Sequence, residues 1–357
     1  MEESVTKGQN PSCPRCRFVL SEVPVDGVLV DHCTHCKGTF FDPGEVGGIF
    51  GPLLDEEVWI DSDLCQSMGP SNLLSPRSGA PMIRHRVFYR KAVEIYRCPD
   101  TQGLWVDDQG ATTRERMIKE VSQAKISPLA DQRPKLGVGT YLLQAFSSIP
   151  VEVWHPRRHL PVITLSLIGL CSAVFLLQTL TSDGEGGGLT DLLALHPDFW
   201  RGEGLWGIVT HIFTHGGIVH IFGNLFLLYV LGDNVEDELG HGRFLQLYMV
   251  SGVVGGLCHL AFDEVGLVGA SGAISGVLGA YWLLFPYVRL RMVLFMFPIY
   301  MGAGVYFTFW LLFNVVMLLM GAGEVAWLAH LGGFAAGLVL ALRFRKPAFK
   351  DQLSSGA

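Results

Sequence analysis

Four polar residues stand out in the apolar second half of the chain: Ser271, His330, His220 and Asn224. A polar or ionisable group in such surroundings is costly to keep, which makes each a candidate for function. Ser271 lies in Gly269-Ala270-Ser271-Gly272, and His330 in Ala329-His330-Leu331-Gly332-Gly333. A serine becomes a nucleophile when a base is within hydrogen-bond reach, and a histidine of near-neutral pKa supplies that base. His220 and Asn224 are four residues apart, so on a helix they share a face and can donate together to a developing oxyanion. A second chemistry stands near the start of the chain. Cys13-Pro-Arg-Cys16 and Cys33-Thr-His-Cys36, 16 residues apart, can place four thiolates around one Zn²⁺. The alternative use of such pairs is dithiol exchange.

Each of these residues also has a purely structural reading. A serine in a Gly/Ala-rich helix packs or bonds its own backbone. A buried histidine can serve as a structural hydrogen-bonding group, and the His220/Asn224 pair can fasten two helices. His211 and His215, just upstream, make a His-rich mouth that would suit a metal, but no acidic partner sits at ligand spacing. Catalysis is favoured by the joint pattern of Ser271 and His330 at matched depth, each beside glycines. Gly272, Ser275 and Gly279 on one helix, with Gly333 and Gly337 on another, allow the backbones to approach closely. Oγ and imidazole could then meet without a third carboxylate.

The elements that must position these groups follow from hydropathy. Mean hydropathy is +0.35 and only 17% of residues are charged, values of a membrane protein. About 20 apolar residues are needed per span. Six stretches qualify: roughly 160–180, 216–235, 244–262, 269–286, 303–321 and 325–342. The apolar run Met292–Met301 is short and contains Pro298, so it is expected to be interfacial or re-entrant. With the N-terminus inside, the inner segments carry Arg157, Arg158, Arg243, Arg289, Arg291, Arg343, Arg345, Lys346 and Lys350, whereas the outer ones carry only Arg201. That bias favours six spans with both termini cytoplasmic. The start of the chain has no apolar signal run, and paired cysteines suit a reducing compartment.

Before the spans, Phe18 to Val30 alternates apolar and polar residues and is expected to form a hairpin turning at Asp26-Gly27. Residues 75–110 look like a decayed copy of the cysteine unit. Ser75-Pro-Arg-Ser78 and Cys98-Pro-Asp-Thr101 stand at the knuckle positions, and Gly103-Leu-Trp-Val-Asp107 echoes Gly38-Thr-Phe-Phe-Asp42. With three of four ligands gone, this copy should be metal-free and held by apolar packing alone. Residues 111–160 are expected to be a polar connector with a helix at Thr112–Lys125. A net charge of −7 argues against a nucleic-acid partner.

Taken together, residues 155–345 resemble the rhomboid intramembrane serine proteases. The resemblance rests on four motifs in order: His215…His220-Ile-Phe-Gly-Asn224, Gly232-Asp-Asn-Val-Glu236, Gly269-Ala-Ser271-Gly272, and Ala329-His330-x-x-Gly333-x-x-x-Gly337. It implies a Ser271–His330 dyad with an oxyanion site of His220, Asn224 and the Ser271 backbone N–H. It also implies structural roles for His215, Glu236, Gly269, Gly272, Gly333 and Gly337, and a partly embedded loop before the second span. The family's Trp-Arg pair nine residues before the first motif histidine is Trp206-Gly207 here, unless Trp200-Arg201 takes its place. The first 50 residues resemble the zinc ribbons of transcription factor B-like proteins.

The expected fold class is therefore an all-α polytopic membrane protein. A zinc ribbon (1–50) and a degenerate metal-free ribbon (70–112) lead through a linker (113–159) to a six-helix rhomboid protease domain (160–345) and a cytoplasmic tail (346–357). The expected cofactor is Zn²⁺, structural, held by Cys13, Cys16, Cys33 and Cys36, with none for catalysis. The expected partners are transmembrane protein substrates, the lipid bilayer (a bacterial inner membrane) and a cytosolic partner for the ribbon. Two rivals are a catalytically inactive rhomboid that binds membrane clients and a transporter or channel. The latter would need a repeat among the spans, and none is visible.

Overall fold

A computed structural model of the chain describes residues 11–50, 65–87, 93–107, 150–152, 160–182, 188–202, 204–286, 288–294, 297–321 and 325–345. It divides into two compact units, residues 1–134 with 347–357, and residues 135–346. The expected helix at Thr112–Lys125 and the tail 346–357 lie outside the described residues.

The first unit is one antiparallel sheet built from two similar halves. β1 (Ser21–Val25) and β2 (Val28–His32) form a hairpin whose turn, Asp26 and Gly27, has positive φ at both residues. That is the twist a two-residue hairpin turn needs, and Asp-Gly supplies it. β3 (Thr39–Phe41) follows, then the short helix α1 (Glu45–Phe50). The second half contributes β4 (Cys65–Leu74), β5 (Pro81–Val87), β6 (Val93–Arg97) and β7 (Leu104–Val106). Sheet order is β1-β2-β3-β7-β6-β5-β4, so the halves join through β3 and β7, with Phe40 opposite Trp105.

The junction is reciprocal. A Cβ on Gly38 would collide with the Trp105 ring, and one on Gly103 with the Phe40 ring. Arg15 of the first half pairs with Asp107 of the second, and Arg77 of the second pairs with Asp42 of the first at 2.6 Å and with Asp31. The expectation that apolar packing alone holds the second half is thus corrected. It also uses ion pairs to its neighbour and a hydroxyl–thiol contact, Ser78 Oγ to Cys98 Sγ at 3.3 Å. Burial pushes the Cys98 thiol up, but the hydroxyls of Ser75 and Ser78 and the Thr101 backbone N–H prevail and bring it down to about 7.

Among the described residues the second unit is mainly helical, with six helices of 14 to 22 residues: α2 (Val162–Thr181), α3 (Ile218–Leu239), α4 (His241–Leu260), α5 (Ser271–Leu284), α6 (Ala303–Leu319) and α7 (Trp327–Phe344). Three of them, α2, α3 and α7, are long and apolar enough to cross a membrane. The unit is not purely α. The run read as interfacial or re-entrant is a hairpin of β9 (Arg289–Leu294) and β10 (Phe297–Gly302), joined by β8 (Val151–Glu152) from the expected connector. Just before and into that run, Arg289 and Arg291 alternate with Leu290 and Met292, the period of a strand.

α5 is the centre of the bundle. Ten consecutive residues, Gly272 to Tyr281, are buried. A helix apolar on every side belongs inside a protein, which explains how a helix of about 21 Å can serve where lipid would demand about 30 Å. α7 lies directly against it. A Cβ on Gly333 would run into the Gly272 carbonyl oxygen, and one on Gly337 into that of Gly276. Without a hydrophobic drive between helices in lipid, such backbone contact is a main source of association. Gly337→Ala should therefore destabilise the bundle by about 1–3 kcal/mol, as overpacking of a filled interior does. Thermal unfolding of the purified protein in detergent measures it.

Candidate active site

Ser271 opens α5, so the first-turn N–H groups of that helix have no carbonyl within the helix to bond. The chain enters this helix through Gly269, whose φ of +129° favours glycine. The same glycine makes room for a side chain, because a Cβ there would lie 2.7 Å from His220 Cε1 and 2.8 Å from Nε2. Gly269 N–H donates to the His211 carbonyl at 2.9 Å, which holds the turn in place. Two residues earlier, Leu267 exchanges backbone hydrogen bonds with Leu195, at 2.9 and 3.0 Å, and ties the segment to the loop between α2 and α3.

His330 sits in the first turn of α7 and Ser271 in the first turn of α5. Ser271, His330, His220 and Asn224 all line one cavity of about 880 Å³, together with Trp310, His259 and Asp263. Asn224 is buried, and its Nδ2 donor has no hydrogen-bond partner among the described residues. His330 neighbours the rings of Trp310, tilted by 33° at 6.1 Å between centroids, and Trp327, edge-on at 5.9 Å. Its Nδ1 lies 3.0 Å from Asn314 Oδ1 on α6.

The other motif residues sit in supporting positions. His215 is buried with its ring edge-on to His220 at 5.3 Å. Its backbone is gripped by Gln178 of α2, which accepts the His215 N–H at 3.1 Å and donates to the His215 carbonyl at 3.1 Å. Glu236, 1% exposed, is remote from the cavity. It accepts the backbone N–H groups of Ile163 and Thr164 at 2.8 Å each and the Thr164 hydroxyl at 2.7 Å, and it meets His241 Nδ1 at 2.6 Å. It is thus an N-terminal cap for α2 supplied by another helix.

The Trp206-Gly207 departure has a physical reason. A Cβ on Gly207 would strike the Ala194 carbonyl oxygen, and the Trp206 indole donates to the Leu192 carbonyl at 2.6 Å. Backbone proximity and the indole therefore fasten this loop. Arg201 is exposed, over the Trp200 ring, and pairs with Asp198 at 3.3 Å.

Sequence reasoning missed Gln178, Asn314, Thr164 and Gly276. The two carboxamides carried a readable signal, since each is the one carboxamide of an otherwise largely apolar helix. Thr164 and Gly276 carried none, because their roles depend on which residue faces them.

In the first unit, Cys13, Cys16, Cys33 and Cys36 bring their sulfurs within 4.8 Å of one another, with Cys13–Cys36 and Cys16–Cys33 at 3.4 Å. A tetrahedron of four sulfurs at about 2.3 Å from zinc has edges of about 3.8 Å, so this set fits one ion. The Phe18 backbone N–H and the neighbouring thiols bring Cys16 down to about 6, whereas burial pushes Cys13 and Cys36 up. A cation at the centre is what would draw all four to thiolates.

Comparison with known proteins agrees with both halves of this description. The rhomboid domain profile matches residues 202–347, and that of a transcription factor zinc-finger matches residues 12–48. The chain carries a rhomboid domain. RHOMBOID-like protein 1 of Arabidopsis thaliana is 34% identical over 150 residues, covering 39% of this chain and 34% of that protein. Rhomboid protein 1, mitochondrial, of Saccharomyces cerevisiae is 30% identical over 192 residues, 52% of this chain and 53% of the yeast one. Rhomboid protease GlpG of Yersinia enterocolitica is 26% identical over 253 residues, 68% of this chain and 85% of that protein. The chain thus spans about a third of the plant relative and about half of the yeast one. Matches of this kind support a protease at the level of the family.

Within the rhomboid domain, the Glu236 cap makes a direct prediction. Glu236→Gln turns one of its two acceptor oxygens into a donor facing N–H groups that also donate. The variant should lose about 2 kcal/mol of stability, read as a lower midpoint of thermal unfolding in detergent.

Proposed function

We propose that this chain is an intramembrane serine endopeptidase that cleaves transmembrane segments of other membrane proteins. The observation that carries the reading is the meeting of Ser271, His330, His220 and Asn224 at one cavity, with the serine and the histidine on two helices in backbone contact. The Ser271 oxygen attacks the scissile carbonyl carbon as its proton passes to His330. The carbonyl electron pair moves onto oxygen, where His220, the Asn224 amide and the Ser271 backbone N–H stabilise it. Collapse breaks the C–N bond, and His330 returns the proton to the leaving nitrogen. Water then repeats the sequence on the acyl-enzyme.

The substrate must be locally unwound, because the carbonyls of an intact helix are already bonded. The shortness of α5 supports a site below the outer surface, since a helix of about 21 Å anchored at the inner surface ends within about 30 Å of hydrocarbon. The topology favoured is six spans with both termini cytoplasmic, the ribbons (1–50 and 70–112) and the tail (346–357) lying on that side of the bacterial inner membrane. His215, Glu236 and the motif glycines Gly269, Gly272, Gly333 and Gly337 hold the frame. The ribbon cysteines hold one structural Zn²⁺, which when bound would fix the two knuckles, and the ribbon offers a docking module for a cytosolic protein.

Two experiments test this reading. In liposomes with a transmembrane reporter, Ser271→Ala should lower product formation by about 10³-fold or more, and a fluorophosphonate should label the parent but not the variant. Undiminished cleavage by the variant ends the reading, while a parent that neither cleaves nor labels is a client-binding protein. Separately, the full chain purified under reducing conditions should carry about one zinc per molecule. Cys33→Ser should remove it and Cys98→Ser should leave it, as elemental analysis by mass spectrometry will show.

A further inference from the structure

We propose that Asn314 is the positioning residue of the catalytic base, the third member of a Ser271–His330–Asn314 chain. The inference rests on the proposed protease reading and deepens it. α6 buries only Ala303, Phe307 and Asn314, a narrow face otherwise apolar, so a carboxamide at that place is an exception that its contacts must account for. Asn314 is 1% exposed and both ends of its amide are engaged. Nδ2 donates to the Trp310 carbonyl, one turn back on the same helix, at 2.7 Å. Oδ1 faces His330 Nδ1 at 3.0 Å.

These two bonds leave one arrangement of protons. A carbonyl only accepts, so the atom facing the Trp310 oxygen must be the amide nitrogen. The atom facing the imidazole is then the amide oxygen, which also only accepts. His330 Nδ1 must carry the hydrogen, and Nε2 is left with its lone pair. The neutral imidazole is thereby held in the one tautomer whose remaining nitrogen can take the serine proton. The neighbouring rings of Trp310, tilted by 33°, and Trp327, edge-on, limit the imidazole's tilt. Of the titratable groups that line the same cavity, His220 on α3 and His259 and Asp263 at the end of α4, none is hydrogen-bonded to His330 among the described residues. Orientation of the base therefore falls to Asn314. In the catalytic step Nε2 receives the Ser271 proton as the oxygen–carbon bond forms, and Nδ1 keeps its hydrogen on the Asn314 oxygen throughout.

The test uses the full chain in liposomes and reads both reporter cleavage and the rate of fluorophosphonate labelling from pH 5 to 9. Asn314→Ala should lower kcat and the labelling rate about tenfold or more at every pH, with KM within about twofold. Asn314→Asp keeps an acceptor for Nδ1–H, so it should recover part of the rate. Its negative charge favours the imidazolium, so the acid limb of its profile should move to higher pH. The recovery with a shifted limb is what a merely structural asparagine would not give. The proposal is overturned if Asn314→Ala keeps the parental rate and profile, or if Asn314→Asp is as slow as Asn314→Ala with an unmoved limb. Ser271→Ala separates the two levels. If it stays active, the protease reading fails and this inference with it. If it is inactive while Asn314→Ala is not slowed, only the role of Asn314 fails.

Discussion

The rhomboid domain depends on two helix backbones touching. At Gly333 and Gly337, α7 lies against the Gly272 and Gly276 carbonyls of α5 with no space for a methyl group. This contact has two effects. It supplies close packing in a setting where burial from water gives helices little reason to associate. It also brings the first turns of the two helices together, which is where Ser271 and His330 are found. Stability and the candidate chemistry thus draw on the same glycines, and a substitution there should disturb both.

Around that contact, groups from neighbouring elements fix free backbone donors and acceptors. Glu236 caps α2, Gln178 grips the backbone of His215, and the Gly269 N–H is held by the His211 carbonyl. In water, such groups could be satisfied by solvent. In an apolar surrounding each unmet donor or acceptor is costly, so polar side chains take over the work of water. Glu236 and Gln178 are bound up in this way with the backbone of other elements.

Much of this was legible in the residues, for physical reasons that differ by element. Ser271, His330, His220 and Asn224 could be read because polar groups amid apolar sequence are rare and their spacing was informative. The helices were readable by hydropathy, although α5 is shorter than the stretch expected, because a helix enclosed by protein has no need to match the lipid thickness. The Asp26-Gly27 turn was readable because its backbone conformation admits few residue types. The β9–β10 hairpin was not, since an apolar run of ten residues is compatible with several states until β8 arrives from far away in the chain. Asn314 and Gln178 could be noticed as polar residues but not assigned, and Gly276 not even noticed, because each acts through a partner on another element, and the identity of a partner across space is not written in local periodicity.

The paired ribbons carry a further consequence. Each half fills the other's glycine gap with an aromatic ring, and each sends an arginine to the other's aspartate. The arrangement is that of a symmetric dimer written into one polypeptide. A subunit in such a pair can lose its own means of support and still be templated by its twin. Ser75, Ser78 and Thr101 stand at the places that Cys13, Cys16 and Cys36 take in the first half, and the contacts from that first half offer the second a support that asks for no metal.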